Sequence, residues 1–389
     1  MPMLGIIERL LREEPVSRQE LEETRDHLIR SDEKRKVQDS LSKLPEEESE
    51  AVKQTLGIEE VKRQRINVQS LPRGTTPMRI FSVRSRGLLL SATRDWMFDV
   101  LKIDKEIPGR SISTLTPWFA QDAEFYDVLN LNPARFQWFS RRIEDSYRQI
   151  PYHNCNHACS VLVTMHHILV LAKGIEVVPV DRRAVTLFAC YIAAIGHDAD
   201  HPGLTNDFMV RTKAQPALTY HDQSPNENYH ISKTLALLND SMLLHCFDED
   251  TKQYIRTVII GVILATDMKH HFTILEALEK IEKGNEESSF MLYLQFFIKC
   301  ADLNHMTLPG AVHRGWVRRL EEEFFAQGDR ERAAGLSISP LMDRDRPGLS
   351  VSQKGFFDAI AIPLFERLYH ILPGTQAMLD GAQRNMMES

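Results

Sequence analysis

The amino-acid sequence predicts an all-α protein, and three observations support that prediction. From about residue 80 onward, apolar residues recur almost throughout with the 3.6-residue period of a helix. Apart from the short run VIIGVIL, no segment favours a strand, and strands do not alternate with helices. The glycines are scattered and form neither a dinucleotide-binding motif nor a P-loop. The sequence therefore predicts a compact helical domain without a backbone loop that cradles phosphate.

The first 70 residues differ in composition from the rest of the chain. They hold 29 charged residues and no Phe, Tyr or Trp, and the first aromatic residue is Phe81. Such a segment cannot bury a core of its own, although its leucines and valines have helical spacing in places. The stretch Leu71–Pro77 breaks this pattern and is the best boundary. We predict a charged helical extension over residues 1–75, which could lead in from an upstream regulatory domain, and one folded domain over residues 76–389.

Charge, hydropathy and cysteine content restrict the class of protein. A net charge of −7 and a pI near 6.1 argue against nucleic acid as the main partner. The longest apolar stretch, Val258–Ala265, is far shorter than the roughly 20 residues of a membrane-spanning helix, and the opening residues do not resemble a signal peptide. Five cysteines are an odd number and too few to staple this chain. We expect reduced thiols and a cytoplasmic location, with any recruitment to a membrane left to regions outside this chain.

Histidines and aspartates stand at or near the ends of the predicted core helices. Those helices cover residues 161–172, 184–198, 229–240, 254–268 and 289–302. A buried carboxylate beside apolar turns is costly unless it is paired or holds a metal ion. Adjacent His197 and Asp198, with the distant His157 and Asp302, would supply two nitrogens and two carboxylates. That set is typical of a site for zinc, manganese, iron or magnesium. We favour this interpretation over four unrelated polar residues that cap helix ends.

His153 precedes His157 by four residues, so on a helix the two side chains would share one face. One of them could bind the metal ion while the other reaches the substrate. Cys155 and Cys159 would lie on the opposite face, where core packing explains them better than a zinc site. Two further histidine pairs have no carboxylate or cysteine at ligand spacing and are interpreted as structural or surface residues: His166-His167 and His270-His271.

Seven short motifs, in order, resemble those of the class I cyclic nucleotide phosphodiesterases. They are YHNxxHA from Tyr152, HDxDHPG from His197, ENxH from Glu227, ATDM from Ala265, CAD ending at Asp302, EEFFAQGDRE over residues 322–331 and SQKGFFDAI over residues 352–360. An HD pair alone marks a broad hydrolase superfamily, but seven motifs in order are specific. The resemblance covers about residues 85–375, and within the family the chain looks most like the kinetoplastid type C enzymes.

The resemblance implies an HD-type domain of about sixteen helices that binds two divalent cations. A tightly bound Zn²⁺ would have four ligands: His157, His197, Asp198 and Asp302. Asp198 would also bridge to a second ion, Mg²⁺ or Mn²⁺, completed mainly by water. Three residues would orient the water molecules around the ions: His201, Glu227 and Thr266.

The resemblance also implies a reaction, the hydrolysis of 3′,5′-cyclic nucleotides to 5′-nucleoside monophosphates. A hydroxide that bridges the metal ions would attack the phosphorus atom. His153, oriented by Glu323, would act as the general acid that protonates the leaving 3′ oxygen. Two other functions compete with this one. An HD-type nucleotide phosphohydrolase would keep the metal site, and a silent binding or scaffold module would be expected to have lost a metal ligand. The sequence does not predict the oligomeric state.

By the same resemblance, the nucleobase pocket lies in the C-terminal third of the chain. Gln353 would hydrogen-bond the purine edge, while Phe356 and Leu320 would close its two faces. Five further residues are candidate wall residues: Tyr152, Met268, Trp316, Phe324 and Leu341. His305 stands where the family usually has an asparagine that faces the purine, so we expect both cyclic AMP and cyclic GMP to be accepted. The charged loop over residues 342–352 is predicted to be mobile and to cover the pocket.

Overall fold

The computed structural model describes residues 83–172, 182–282 and 290–389, and every regular element in these ranges is helical. The predicted charged extension, residues 1–75, lies outside the described residues. The described part contains sixteen helices when residues 353–371 are counted as one. In chain order, α1–α16 are Val83–Arg94, Leu101–Glu106, Ser111–Asp122, Phe125–Val128, Pro133–Ser146, Cys155–Ala172, Arg183–Gly196, Asn206–Arg211, Gln215–Thr219, Pro225–Asp240, Glu249–Leu264, His271–Glu282, Phe290–Asp302, Gly310–Ala333, 353–371 and Gln376–Met387. The predicted all-α fold class is confirmed.

Helix α15 is not uniform. Its α-helical turns Gln353–Phe356 and Ile362–Ile371 flank a π-helical segment, Phe357–Ala361. Pro363 lies just beyond this segment and has no N–H to donate to the preceding turn. A proline inside a helix is a common cause of such local widening.

Helix α6 is the centre of the core. It packs against α3, α7 and α13, and α7 in turn packs against α11. By length and composition α6 could cross a membrane, but 83% of it is buried inside the domain. A second candidate requires joining α11 to Met268–Ile281 across a bend of 88°. Cys155 and Cys159 are buried in α6, which agrees with their interpretation as core residues.

The two histidine pairs interpreted as structural or surface residues are mostly buried. The His166 ring stacks on Phe119 with centroids 4.4 Å apart, and its Nδ1 lies 2.5 Å from the Tyr191 hydroxyl. His167 bonds through Nε2 to the carbonyl oxygen of Ala92. In the second pair His271 is fully buried, whereas His270 is partly exposed.

The prediction that His153 and His157 share a helix face is wrong. Helix α6 begins at Cys155 because Asn154 caps it: the Asn154 side chain accepts a hydrogen bond from Asn156 N at 2.9 Å, and its carbonyl accepts one from His157 N at 3.1 Å. His153 therefore lies in the turn before the helix. Only His157 is in its first turn.

Helices α7 and α10 approach closely where α7 ends. Thr234 is fully buried in α10, and its hydroxyl donates to the Gly196 carbonyl at 3.1 Å. A Cβ atom on residue 196 would lie 2.4 Å from Thr234 Oγ1, so only glycine fits without a shift. This contact fixes the position at which His197 and Asp198 leave the helix.

We expect Gly196→Ala to lower the free energy of unfolding by about 1–3 kcal/mol, because the new methyl group overpacks the contact with Thr234. Urea denaturation measures this change. Gly315→Ala in α14 is the matched control, since no atom lies within 4 Å of its added Cβ, and it should be neutral or stabilising by up to about 1 kcal/mol. A Gly196→Ala protein as stable as wild type would contradict the close approach.

Candidate metal centre

Four side chains from three separate parts of the chain bring one donor atom each to a common point. His157 is in the first turn of α6, His197 and Asp198 follow the last residue of α7, and Asp302 ends α13. Nε2 of His157 lies 3.2 Å from Nε2 of His197 and 2.9 Å from Oδ1 of Asp302. Oδ2 of Asp198 lies 3.5 Å and 3.2 Å from the same two nitrogens. The sequence predicted this convergence.

The spacing of these donor atoms fits a bound divalent cation. An ion about 2.0–2.2 Å from each donor would hold neighbouring donors about 2.9–3.6 Å apart in tetrahedral or octahedral geometry. Five of the six separations among the four donors, including 3.4 Å between His197 and Asp302, lie between 2.9 and 3.5 Å. His197 Nδ1 bonds to the Ala194 carbonyl at 2.9 Å, which turns Nε2 toward the other donors. Two imidazole nitrogens and two carboxylates are donors that zinc and similar ions accept.

The protonation states of this group also suit a cation. Burial alone would raise the pKa of Asp198, but the facing His197 holds that pKa well below its ordinary value. Burial would likewise raise the pKa of Asp302, and hydrogen bonds from His157 and His197 lower it. Burial lowers the pKa of His157, whereas Asp198 and Asp302 raise that of His197 against the effect of burial. The lowered pKa values favour the ionised form of both carboxylates. A bound metal ion would balance their negative charge in place of a proton on the facing histidines.

His153 lies beside the four donors and is held by Glu323 from α14. One carboxylate oxygen of Glu323 contacts Nδ1 of His153, and the other accepts hydrogen bonds from the backbone N–H groups of Tyr152 and His153 at 2.9 and 3.1 Å. Burial lowers the pKa of His153, but the Glu323 carboxylate outweighs it and raises that pKa to about 9. The Glu323 carboxylate thus favours the protonated form of His153, whose side chain is partly exposed.

A second group of donors shares Asp198 with the first. Donor atoms of Asp198, His201 and His230 all lie within 4.8 Å of one another. His230 Nε2 is 3.8 Å from Asp198 Oδ1 and has no hydrogen-bond partner in the described chain, and its Nδ1 bonds to the Ala199 carbonyl. The His201 ring stacks on that of His153 with centroids 4.1 Å apart. A carboxylate shared between two donor groups is suited to bridging two ions.

Glu227 and Thr266 are the other two residues predicted to orient water molecules. The pKa of Glu227 is raised to about 7, and burial is the largest cause. The charges of Asp267 and Asp198 also raise the pKa of this residue. Its carboxylate accepts a hydrogen bond from Asn206 at 2.9 Å. Thr266 lies in the turn after α11, where its hydroxyl donates to the Ile263 carbonyl at 2.8 Å and can still accept a bond from water.

The residues predicted to bind the nucleobase differ in exposure. Tyr152, Trp316 and Gln353 are buried, Leu320 and Phe324 are half-buried, and Met268, Leu341 and Phe356 are exposed. The Tyr152 ring lies against the His157 ring, with centroids 4.7 Å apart. The Gln353 amide donates to the Leu349 carbonyl at 2.7 Å and lines a cavity of about 380 Å³ with His313 and Val317. No other predicted base residue lines this cavity in the described chain, so their grouping around a purine stays a prediction.

His305, which replaces the expected asparagine, is buried in a stack with a second histidine. The rings of His305 and His313 are 5.4 Å apart and nearly parallel, and His313 Nδ1 bonds to the His305 carbonyl oxygen at 3.1 Å. The edge of the His305 ring faces Tyr152, with centroids 5.7 Å apart. An imidazole in this place presents a different hydrogen-bonding edge from an amide.

The loop over residues 342–352, predicted to be mobile, is tied to α14. Arg344 pairs with Glu322 and with Asp329, each at 2.8 Å, and Ser350 N donates to Glu321 at 2.9 Å. These contacts hold the loop just before Gln353. They are exposed, so salt screens them.

Helix α14 supplies a buried polar stripe that the sequence reasoning missed. One turn beyond Glu323, the buried Gln327 accepts a hydrogen bond from Thr205 N at 2.8 Å and donates to the Thr205 hydroxyl at 3.1 Å. One turn further, the fully buried Glu331 accepts bonds from Ser339 N and Oγ, both at 2.6 Å. The spacing i, i+4, i+8 of polar residues within EEFFAQGDRE was the available signal. The stripe joins the segments that carry His153 and His201.

Comparison with known proteins agrees with this site. The family model described as 3′5′-cyclic nucleotide phosphodiesterase matches residues 152–382. The chain is 32% identical over 316 residues to "3′,5′-cyclic-AMP phosphodiesterase, isoform F" of Drosophila melanogaster, which covers 77% of this chain and 47% of the relative. It is also 32% identical to "3′,5′-cyclic-AMP phosphodiesterase 4C" of Rattus norvegicus, covering 76% and 57% respectively. The chain thus spans about half the length of these curated relatives.

We expect Asp302→Ala to lose the divalent ion, because it removes one of the oxygen donors of the group. Elemental analysis after dialysis should give about one tightly held ion per wild-type chain and far less in the variant. His370→Ala, at an exposed position in α15, should retain the wild-type content. Full retention of metal by folded Asp302→Ala would contradict the assignment of the four donors.

We expect Glu323→Gln to lower the pKa of His153 from about 9 toward its ordinary value, because the carboxylate that most raises this pKa is lost while the burial that opposes it remains. NMR titration of the histidine ring measures this pKa directly. The raised pKa adds stability that is fully present below about pH 6.5 and is lost as the pH rises through 9. This loss should disappear in Glu323→Gln. An unchanged His153 pKa in the variant would show that Glu323 does not control the proton.

Proposed function

Because the chain belongs to the 3′,5′-cyclic nucleotide phosphodiesterase family, we propose that it hydrolyses 3′,5′-cyclic nucleotides to 5′-nucleoside monophosphates with two divalent cations. The observation that carries the proposal is the convergence of two imidazole nitrogens and two carboxylate oxygens beside His153, which is paired with the buried Glu323. This arrangement lies within the span matched by the family model. A metal site alone would equally suit an HD-type nucleotide phosphohydrolase, but the His153–Glu323 pair supplies a separate acid.

Two sets of residues would hold the cations. His157, His197, Asp198 and Asp302 would bind Zn²⁺ tightly, since nitrogen and carboxylate donors at these separations suit it. Asp198 would share a more weakly held Mg²⁺ or Mn²⁺, with His201, Glu227 and Thr266 holding water around it. When bound, the cations would neutralise the phosphate charge and make a water molecule more acidic.

His153 would act as the general acid. A 3′ oxygen is a poor leaving group unless it is protonated as the bond to phosphorus breaks. The Glu323 carboxylate keeps the His153 ring charged and binds Nδ1, which leaves Nε2 to donate the proton. The His201 ring, whose pKa burial holds well below its ordinary value, stacks on His153 as a neutral surface and fixes its plane.

The base would bind toward the C-terminal helices. Gln353 would bond to the purine edge, with four apolar residues and a tyrosine around it: Tyr152, Met268, Leu320, Phe324 and Phe356. Two relatives are named as cyclic-AMP phosphodiesterases, and we propose cyclic AMP as a substrate here. The His305–His313 stack lacks the amide that would favour one purine, so cyclic GMP is proposed as a second substrate.

We propose that the protein is cytoplasmic. We also propose that residues 76–389 form the catalytic domain and that residues 1–75 form a charged extension that precedes it. A regulatory domain upstream of this chain is part of the proposal. The length of the relatives supports this arrangement, because about half of each lies outside the matched region.

Purified protein should convert cyclic AMP to 5′-AMP, stop after chelation and recover with Mg²⁺ or Mn²⁺. Chromatography of the products, with both cyclic nucleotides and with and without chelator, measures this. His153→Ala should lower kcat by about 10²–10⁴-fold, because the leaving group loses its proton donor, while the metal content stays unchanged.

His370→Ala serves as the control for this experiment and should keep wild-type turnover. Persistent hydrolysis by a verified metal-free sample would overturn the proposed mechanism. Loss of the bound metal in His153→Ala would mean that the roles of His153 and His157 are reversed.

A further inference from the structure

Lys299 is a buried cation in the last turns of α13. Its exposed fraction is 2%, although lysine is almost never fully buried unless it is paired. Burial lowers the pKa of its ammonium group. In the described chain no carboxylate oxygen lies within 4.0 Å of Nζ, so a salt bridge does not explain its position. Another interaction must offset the desolvation of this charge.

Each of the three donors of the Lys299 ammonium has a partner, and all three partners lie in one turn. Nζ is 3.0 Å from the carbonyl oxygen of Ala265, 3.4 Å from that of Asp267 and 3.9 Å from Sδ of Met268. This turn follows α11, and Thr266 lies between the two carbonyl acceptors. The side chain therefore fixes the peptide group before Thr266 and the one after Asp267.

Lys299 also connects this turn to the candidate metal centre. It precedes Asp302 by three residues, so both side chains lie on one face of α13. The charges of Asp302, Asp267 and Glu227 act on its ammonium group. A single side chain thus ties the helix that ends in a predicted metal ligand to the turn of Asp267, whose charge acts on Glu227.

We propose that Lys299 is a positioning residue for the second, more weakly held cation. It would hold the turn 265–268 so that Thr266 and Glu227 keep their positions relative to Asp198. This inference rests on the proposed function, which supplies the second cation. The direction of the change in affinity for the second ion distinguishes this role from a purely electrostatic one. Loss of the turn's anchor weakens binding of the second ion, whereas mere removal of a nearby positive charge would strengthen it.

Manganese titration followed by EPR tests this inference on the whole chain. Lys299→Met keeps a long unbranched side chain and removes the ammonium group. We expect about 10–100-fold weaker binding of the second Mn²⁺, a typical effect of removing a residue that orients a metal site, with the tightly bound ion retained. The exposed Lys102→Met is the control and should match wild type.

The outcomes separate the two proposals. If the wild-type protein binds no second Mn²⁺ and hydrolyses no cyclic nucleotide, the proposed function fails. If wild type does both and Lys299→Met binds the second ion as tightly or more tightly, the inference about Lys299 fails alone. A fall in Tm without a change in Mn²⁺ binding would assign Lys299 a structural role only and would also overturn it.

A double-mutant cycle with Thr266→Val tests whether Lys299 acts through the turn. If it does, the second substitution adds little to the loss of Mn²⁺ affinity in Lys299→Met, because both act on one element. Fully additive losses would contradict the mechanism. Should Lys299→Met fail to fold, Lys299→Gln retains a donor in the same place. It should give a smaller loss with the same sign, and unchanged affinity would again overturn the inference.

Discussion

The structure depends on the burial of ionisable groups whose charge must be balanced inside an apolar core. His157, His197, Asp198 and Asp302 meet at separations of 2.9 to 3.5 Å, where ionised carboxylates and facing imidazoles require a positive charge. The ends of three helices position these side chains. Helix α7 stops beside Thr234, where only glycine fits, and α13 stops at Asp302. The surrounding helices bury the site and thereby strengthen every electrostatic interaction within it.

A second set of buried polar residues holds the chain segments around these donors. Glu323 and Gln327 on α14 bind the turn of His153 and the segment after His201, and Lys299 on α13 binds the turn of Thr266. Each of them satisfies backbone groups that would otherwise be unpaired in the interior. Their hydrogen bonds connect helices that are distant in sequence. The geometry of the site therefore depends on how the helices of the domain pack.

Much of this could be predicted from the sequence, and the errors have physical causes. Helical periodicity gave the fold class, and buried charge at helix ends indicated the donors, because both signals are local. The helical position of His153 was wrong since Asn154 caps α6 one residue after it. Lys299 was missed because a lysine in an apolar helix usually extends to solvent, and only the tertiary structure supplies its three acceptors. The base pocket remains a prediction, since a purine-binding surface depends on side chains from several helices.

The most direct test of the account is anomalous X-ray scattering from crystals of the protein, measured on both sides of the zinc absorption edge. The account predicts one strong peak about 2.0–2.2 Å from the four donor atoms, next to a weaker ion that shares Asp198. A map without a peak, in which Asp302 turns away from His197 and Asp198, would contradict it. In that case the histidine–aspartate group would be a hydrogen-bonded core cluster with no metal chemistry.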